Sequence, residues 1–241
     1  MALHRGNQNW QQVGQNTFPS VDTARAIMTQ VYLLMMMGLA TTAGAAFILI
    51  ETGFIETVSP LVVLGAFLVE LGLVFWLSLR VFKMNPTQAV VLFFAYSALN
   101  GITFALLFLA YTAGSIVTAF VSASALFAAM SIVGATTKMD LTRFRTFFLM
   151  GLIGLLIAIV VNIFLASSAL ELVISVFGVL LFTGLTAYDT QRIGRMAQEV
   201  SMGGSGTRAM ATRVSVIGAL ILYLDFVNLF IFMLRLVGDR R

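Results

Sequence analysis

Polar residues punctuate this chain and do not alternate with apolar ones. Between them lie seven apolar runs, 27–50, 60–82, 88–110, 114–134, 146–167, 170–193 and 211–236. Each is long enough to cross a bilayer as a helix, which takes ~20 mostly apolar residues. Ser59-Pro60 opens the second run, Asn85-Pro86 divides the second from the third, and Lys138–Arg145 divides the fourth from the fifth. Tyr111–Ser115 and Ala166–Leu170 are tight turns, and a stretch around SMGGSGTR separates the sixth run from the seventh. The pattern predicts an all-α membrane protein, a seven-transmembrane-helix bundle. A polar tail over 1–26 precedes a single domain over 27–236, and a short basic tail over 237–241 follows it. No second domain or repeat is visible.

Composition reinforces the pattern. Charged residues make up 10% of the chain, against roughly 25% in an average soluble protein. The apolar content is bulky, with 21 Phe and 13 Met. The absence of Cys excludes disulfides and thiolate metal sites. A net charge of +4 would suit nucleic acid, but the basic residues sit in short loops between apolar runs, where topology explains them. No nucleic-acid partner is expected. The first residues lack the charged start and cleavage site of a signal peptide.

Lys and Arg orient the bundle, because cytoplasmic loops carry their excess. Of 14 basic residues, 11 fall in the segments that share the N-terminal side, and the opposite short loops hold the acids Glu51, Glu56 and Glu171. The N-terminus is therefore expected in the cytoplasm. Arg235, Arg240 and Arg241 disagree. Either seven spans cross and three terminal arginines are tolerated, or the last segment re-enters; seven spans are the better fit.

Three acids interrupt apolar runs: Glu70, Asp189 and Asp225. A charge at the bilayer centre costs at least ~2.5–3.5 kcal/mol, so such residues usually face the bundle interior and mark function. If the sixth helix continues to about Glu199 and the seventh starts near Ala211, Asp189 lies ten residues before the one end and Asp225 fourteen after the other start. Their depths on antiparallel neighbours then differ by about 6 Å at 1.5 Å per residue, which makes a carboxyl pair available. Such a pair cannot readily hold two charges in a low-dielectric interior and would share a proton as a unit. Two blander readings stand beside it. Each aspartate could bond locally, with Thr186 and Asn228 three residues away, or Asp189 could be an interfacial charge near Arg192.

Glu70 reads either as a pore-lining group or as a protonated acid bonded to a neighbouring helix, and Arg80 either as a latch that reaches an aspartate or as a snorkelling arginine. Asn100 and Asn162 read as interhelical hydrogen-bond glue in preference to ion ligands. Met35-Met36-Met37 reads as packing, since no other soft ligand accompanies it. Catalysis is not expected. His4 is the only histidine and lies in the tail, and GGSGTR at 203–208 lacks the Lys-Ser/Thr of a phosphate loop.

GLTAYDTQRI at 184–193 and LYLDFVNLFIFMLRLVG at 222–238 closely resemble two signatures of the Bax inhibitor-1 family, as do TTKMDLTRF at 136–144 and YSALNGITFALLFLAYT at 96–112. The likeness covers 25–238 and is greatest to bacterial inner-membrane members. It implies a bundle whose last helix is central, wrapped by the other six. It also implies a pH-sensitive calcium leak controlled by an aspartate pair, here Asp189 and Asp225, and an arginine latch on the second helix, for which Arg80 is the candidate.

The leading expectation is a passive, pH-gated cation (calcium) leak in the bacterial inner membrane. It would have no cofactor, and Ca²⁺ would be the permeant ion. Asp189 and Asp225 would meet the metal only in transit, because a dedicated calcium site takes six to eight oxygen ligands. Glu70, Asn100, Thr186 and Asn228 are candidate accessory polar groups. The competing expectation is a non-transporting regulator that binds a membrane protease or another membrane protein, as the resemblance to some bacterial members implies.

Overall fold

The computed structural model describes residues 21–203 and 208–240. Seven helices in it are long and apolar enough to span a membrane. They are α1 (Val21–Glu51), α2 (Pro60–Arg80), α3 (Pro86–Ala110), α4 (Ala113–Thr136), α5 (Arg145–Leu165), α6 (Ser168–Met202) and α7 (Arg208–Val237). Helix starts follow local chemistry. Pro60 and Pro86 occupy first turns, where a missing N–H costs nothing. The side chains of Asn85, Thr112 and Ser167 accept from the free backbone N–H groups of Thr87, Ser115 and Leu170. Ala166 adopts a left-handed conformation (φ 46°) that ends α5, and Asn162 Oδ1 accepts from Ser167 N across the turn at 3.1 Å. Asn162 thus closes a loop and does not glue two helices as expected.

Helix α7 is the centre of the bundle, with 78% of its apolar stretch buried, against 6% for α2 and 6% for the span that contains α5. It packs against α1, α3, α4 and α6, while α2 leans on α3 and α5 on α6. The wrapping is therefore an inner ring of four helices with two outside. Leu79 (78% exposed) and Phe164 (84% exposed) show how far the outer pair presents apolar surface to lipid. Small residues permit the closest approaches. A Cβ on Gly134 would lie 2.3 Å from the Ala187 carbonyl oxygen, which fixes how near α4 and α6 come.

Two boundaries differ from the sequence expectation. Helix α1 begins at Val21, so residues 21–26 are helical and not part of a polar tail; residues 1–20 lie outside the described residues. Helix α6 runs to Met202, nine residues past the apolar run. Its extension is amphipathic: Ala197 is buried with Ile27 and Val214, and Met196 and Val200 pack around them, the spacing of a one-faced helix. The linker is accordingly shorter than expected, and the flexible-linker reading of GGSGTR rests on 204–207, outside the described residues.

The last helix crosses completely. At its far end Asp239 and Arg240 fold against the start of α4: Thr112 N donates to Asp239 O at 3.2 Å, and Asp239 N donates to Ser115 Oγ at 2.8 Å. Arg240 pairs with Glu171 and lies over the Tyr111 ring, while Arg235 lies over the Phe232 ring. The residues after α7 thus lie at the end of the bundle opposite the start of α1. Arg235 and Arg240 are accommodated by aromatic faces and, for Arg240, by an acid.

Candidate functional site

Asp189 of α6 and Asp225 of α7 are both buried, at 7% and 5% exposure. Asp189 lies thirteen residues before the end of α6 and Asp225 seventeen after the start of α7. The offset of four residues is again about 6 Å along the axis. The charge that bears on Asp225 is that of Asp189. Asp225 Oδ2 is buried with no hydrogen-bond partner among the described residues, an expensive condition for a carboxyl oxygen in an apolar interior. The Thr186 hydroxyl donates to Phe182 O at 2.8 Å, and Asn228 Nδ2 to Leu224 O at 2.8 Å. Both are spent on their own helices, so neither caps an aspartate.

Asp189 has a counter-ion, the one named in the reading of it as a charge near Arg192. Arg192, one turn along α6, places Nη1 3.7 Å from Asp189 Oδ1 with its side chain half exposed. Asp189 is thus within reach of a half-exposed cation on its own helix. Beside it Thr190 donates to Ser131 Oγ of α4 at 3.4 Å.

The structure does not bring Arg80 to the pair. It closes α2 and is exposed, and among the described residues it forms no ion pair. Arg213, near the start of α7, donates to the Met84 carbonyl at 2.9 Å and ties α7 to the α2–α3 turn. Glu70 is buried at 9%, accepts from Thr103 at 3.4 Å and lines a cavity of about 340 Å³ between α2 and α3.

A second polar cluster, missed in the sequence, occupies the other face of α7. Thr42 of α1 donates to the Ser97 carbonyl of α3 at 2.8 Å, and its oxygen lies 2.7 Å from the Tyr223 hydroxyl. With the Thr42 proton so used, Tyr223 donates to it. The Tyr96 ring meets Tyr223 edge-on at 5.8 Å, and Tyr96 OH accepts from Asn100 Nδ2 at 3.2 Å. Asn100 therefore bonds within its own helix, not across helices as expected. Hydroxyls at single positions in long apolar runs carry no periodic signal; the spacing of Tyr96, Ser97 and Asn100 in YSALN was the available clue. Of the three methionines, Met35 is buried and Met36 and Met37 are exposed, so they pack and face lipid.

Outside the membrane-spanning core, Asp140 caps the turn before α5. It accepts from Thr142 N at 3.1 Å and Thr142 Oγ1 at 2.8 Å, and pairs with Arg195 at 2.7 Å. These donors hold its carboxyl down at about 2.

Known proteins resemble this chain along nearly all of it. The family model described as inhibitor of apoptosis-promoting Bax1 matches residues 24–241. An uncharacterized protein of Deinococcus radiodurans is 40% identical over 233 residues, 97% of this chain and 99% of its own length. Inner membrane protein YbhL of Escherichia coli (strain K12) is 39% identical over 217 residues, 89% of this chain and 92% of that one. An uncharacterized membrane protein of Streptococcus pyogenes serotype M1 is 38% identical over 216 residues, 87% and 90% respectively.

Proposed function

The chain belongs to the Bax inhibitor family of membrane proteins, and from that premise we propose that it is a passive cation leak, permeable to calcium and gated by Asp189 and Asp225. The observation that carries this reading is the Asp225 carboxyl. It sits on the most buried helix with one oxygen unpartnered and the Asp189 charge bearing on it.

Two carboxylates side by side in a low-dielectric interior repel, so their charge state and the spacing of α6 and α7 are linked. A proton reaches Asp189 first, from the Arg192 side, and Asp225 through it. A passing cation is drawn to the pair without being trapped, because no third Asp, Glu, His or Cys joins them among the described residues. In this reading the protein catalyses no reaction and carries no cofactor. It lies in a bacterial inner membrane with α1 entering from the cytoplasm, in line with the basic residues of that end.

Purified protein in liposomes loaded with a calcium dye should pass Ca²⁺ with a pH dependence that disappears in Asp189→Asn and Asp225→Asn. Wild-type flux equal to that of empty liposomes would overturn the leak and leave the membrane-protein regulator as the reading to pursue.

A further inference from the structure

At the end of the bundle where α1 begins lies a cavity of about 920 Å³, walled by α1, the end of α4 and the extension of α6. It falls within the size range of small-molecule sites. Three cations from three separate elements line it: Arg25 of α1, Lys138 of the α4–α5 turn and Arg195 of α6. No acid stands among the described residues of its wall. Arg195 reaches Asp140 outside the wall at 2.7 Å, while Arg25 and Lys138 form no ion pair among the described residues. The rest of the wall mixes hydroxyl and amide groups, Thr190 and Gln191 among them, with the apolar side chains of Ala24, Met28, Ala135 and Met202, and Tyr32 supplies a ring.

The positive-inside bias accounts for basic residues at this end of the molecule. It does not require that three of them converge on one concave surface without an acid. Arg25 and Lys138 amid neutral donors match a multiply charged oxyanion, to which they can give charge-assisted bonds, and Arg195, partly neutralised by Asp140, can add a further one. A carboxylate would leave part of that charge uncompensated.

We propose that this cavity is a binding site for a phosphoryl-bearing anion, either a free phosphate compound or the headgroup of an anionic lipid. The ligand would bridge α1, α4 and α6 through Arg25, Lys138 and Arg195. It would rest against Thr190, the residue next to Asp189. The site stands on the cavity and its charges and does not depend on the leak.

Full-length protein in detergent micelles is titrated with sodium pyrophosphate. In a second arm it is placed in nanodiscs of phosphatidylcholine alone or mixed with phosphatidylglycerol, and its Tm is read. Saturable pyrophosphate binding, weakened about tenfold by Arg25→Gln or by Lys138→Gln, identifies a free phosphate. Lys138→Arg should restore it. Gly194→Met, which fills open space in the wall, should abolish it, and Arg143→Gln, outside the wall, should leave it unchanged. Absence of pyrophosphate binding with a Tm raised by phosphatidylglycerol in wild type, but not in the Arg25→Gln/Lys138→Gln double variant, identifies a lipid headgroup. The proposal is overturned if neither arm distinguishes wild type from that double variant, or if Arg143→Gln weakens binding equally.

Discussion

Tyr223 and Asp225 stand two residues apart on the central helix and face opposite sides of it. The Tyr223 hydroxyl meets Thr42 of α1 at 2.7 Å, while the Asp225 carboxyl bears the charge of Asp189 on α6. Two helical steps turn a side chain by about 200°, so one helix carries a satisfied neutral cluster on one face and an unsatisfied acid on the other. The first is suited to hold α1, α3 and α7 together; the second has nothing to lose by moving.

Removing the neutral link should therefore cost stability and spare gating. Tyr223→Phe is expected to destabilise by about 1 kcal/mol, the usual net contribution of one buried hydrogen bond. Thr42→Val should cost more, since it also removes the bond to the Ser97 carbonyl, and the double variant should cost less than the sum because both changes remove the Thr42–Tyr223 bond. Unfolding in detergent, read alongside liposome flux, checks this; a lost pH response in Tyr223→Phe would contradict the separation of the two faces.

Asp225→Leu should behave in the opposite sense. Replacing a buried acid that lacks a partner with an apolar side chain removes a desolvation cost. The Tm of this variant should equal or exceed that of wild type while the pH response of the flux is lost. A Tm several degrees lower would mean that the carboxyl is a structural tie.

Arg192 and Arg80 should separate cleanly. Arg192 sits 3.7 Å from Asp189, whereas Arg80 is exposed at the end of α2. Arg192→Gln is expected to displace the midpoint of the flux–pH curve, and Arg80→Gln to leave it in place. The reverse result would restore Arg80 as the latch.

Gly134 and Gly154 provide a packing test. A methyl on Gly134 would sit 2.3 Å from the Ala187 carbonyl oxygen, while one on Gly154 meets nothing within 4 Å. Gly134→Ala should cost roughly 1–3 kcal/mol through overpacking. Gly154→Ala should be neutral or stabilising, by up to about 1 kcal/mol in helix propensity. Thermal unfolding of both variants in one detergent gives the comparison.

Asp140 carries a pH dependence of stability at the surface. Its carboxyl is held at about 2, below the unfolded value of about 3.9. A depressed value stabilises the fold above the unfolded pKa, and the contribution is lost as pH falls through the folded one. The Tm difference between wild type and Asp140→Asn should thus be steady at neutral pH and shrink between about pH 4 and 2. A difference that is the same at pH 7 and pH 2 would assign the effect to hydrogen-bond geometry alone.

The seven spans were legible because a bilayer demands long apolar segments whatever the fold. Ser59-Pro60, Asn85-Pro86 and the turn at Ala166 marked their ends, and the structure starts or stops helices there. Asp189 and Asp225 were legible for the same reason: an acid in an apolar run is conspicuous. What the run lengths left open was how far α6 extends past its apolar run, because the mixed composition up to Met202 ends the apolar signal before the helix ends. Arg192 stood as one open choice beside Asp189, and the local bonds of Asn100, Thr186 and Asn228 were hidden, because sequence spacing leaves the choice of partner open.

By itself, then, the sequence determined the number of spans, the end at which basic residues gather and the identity of the acids inside apolar runs, all properties of local composition. Only the tertiary structure decided which face of α7 meets which neighbour. It set Thr42 on Tyr223, left Asp225 Oδ2 without a donor, held Arg80 away from the pair and gathered Arg25, Lys138 and Arg195 around one cavity. Those facts depend on helix rotation and on hydrogen bonds between residues as far as 185 positions apart. Packing sets both, and apolar periodicity in an almost uniformly apolar chain does not encode them.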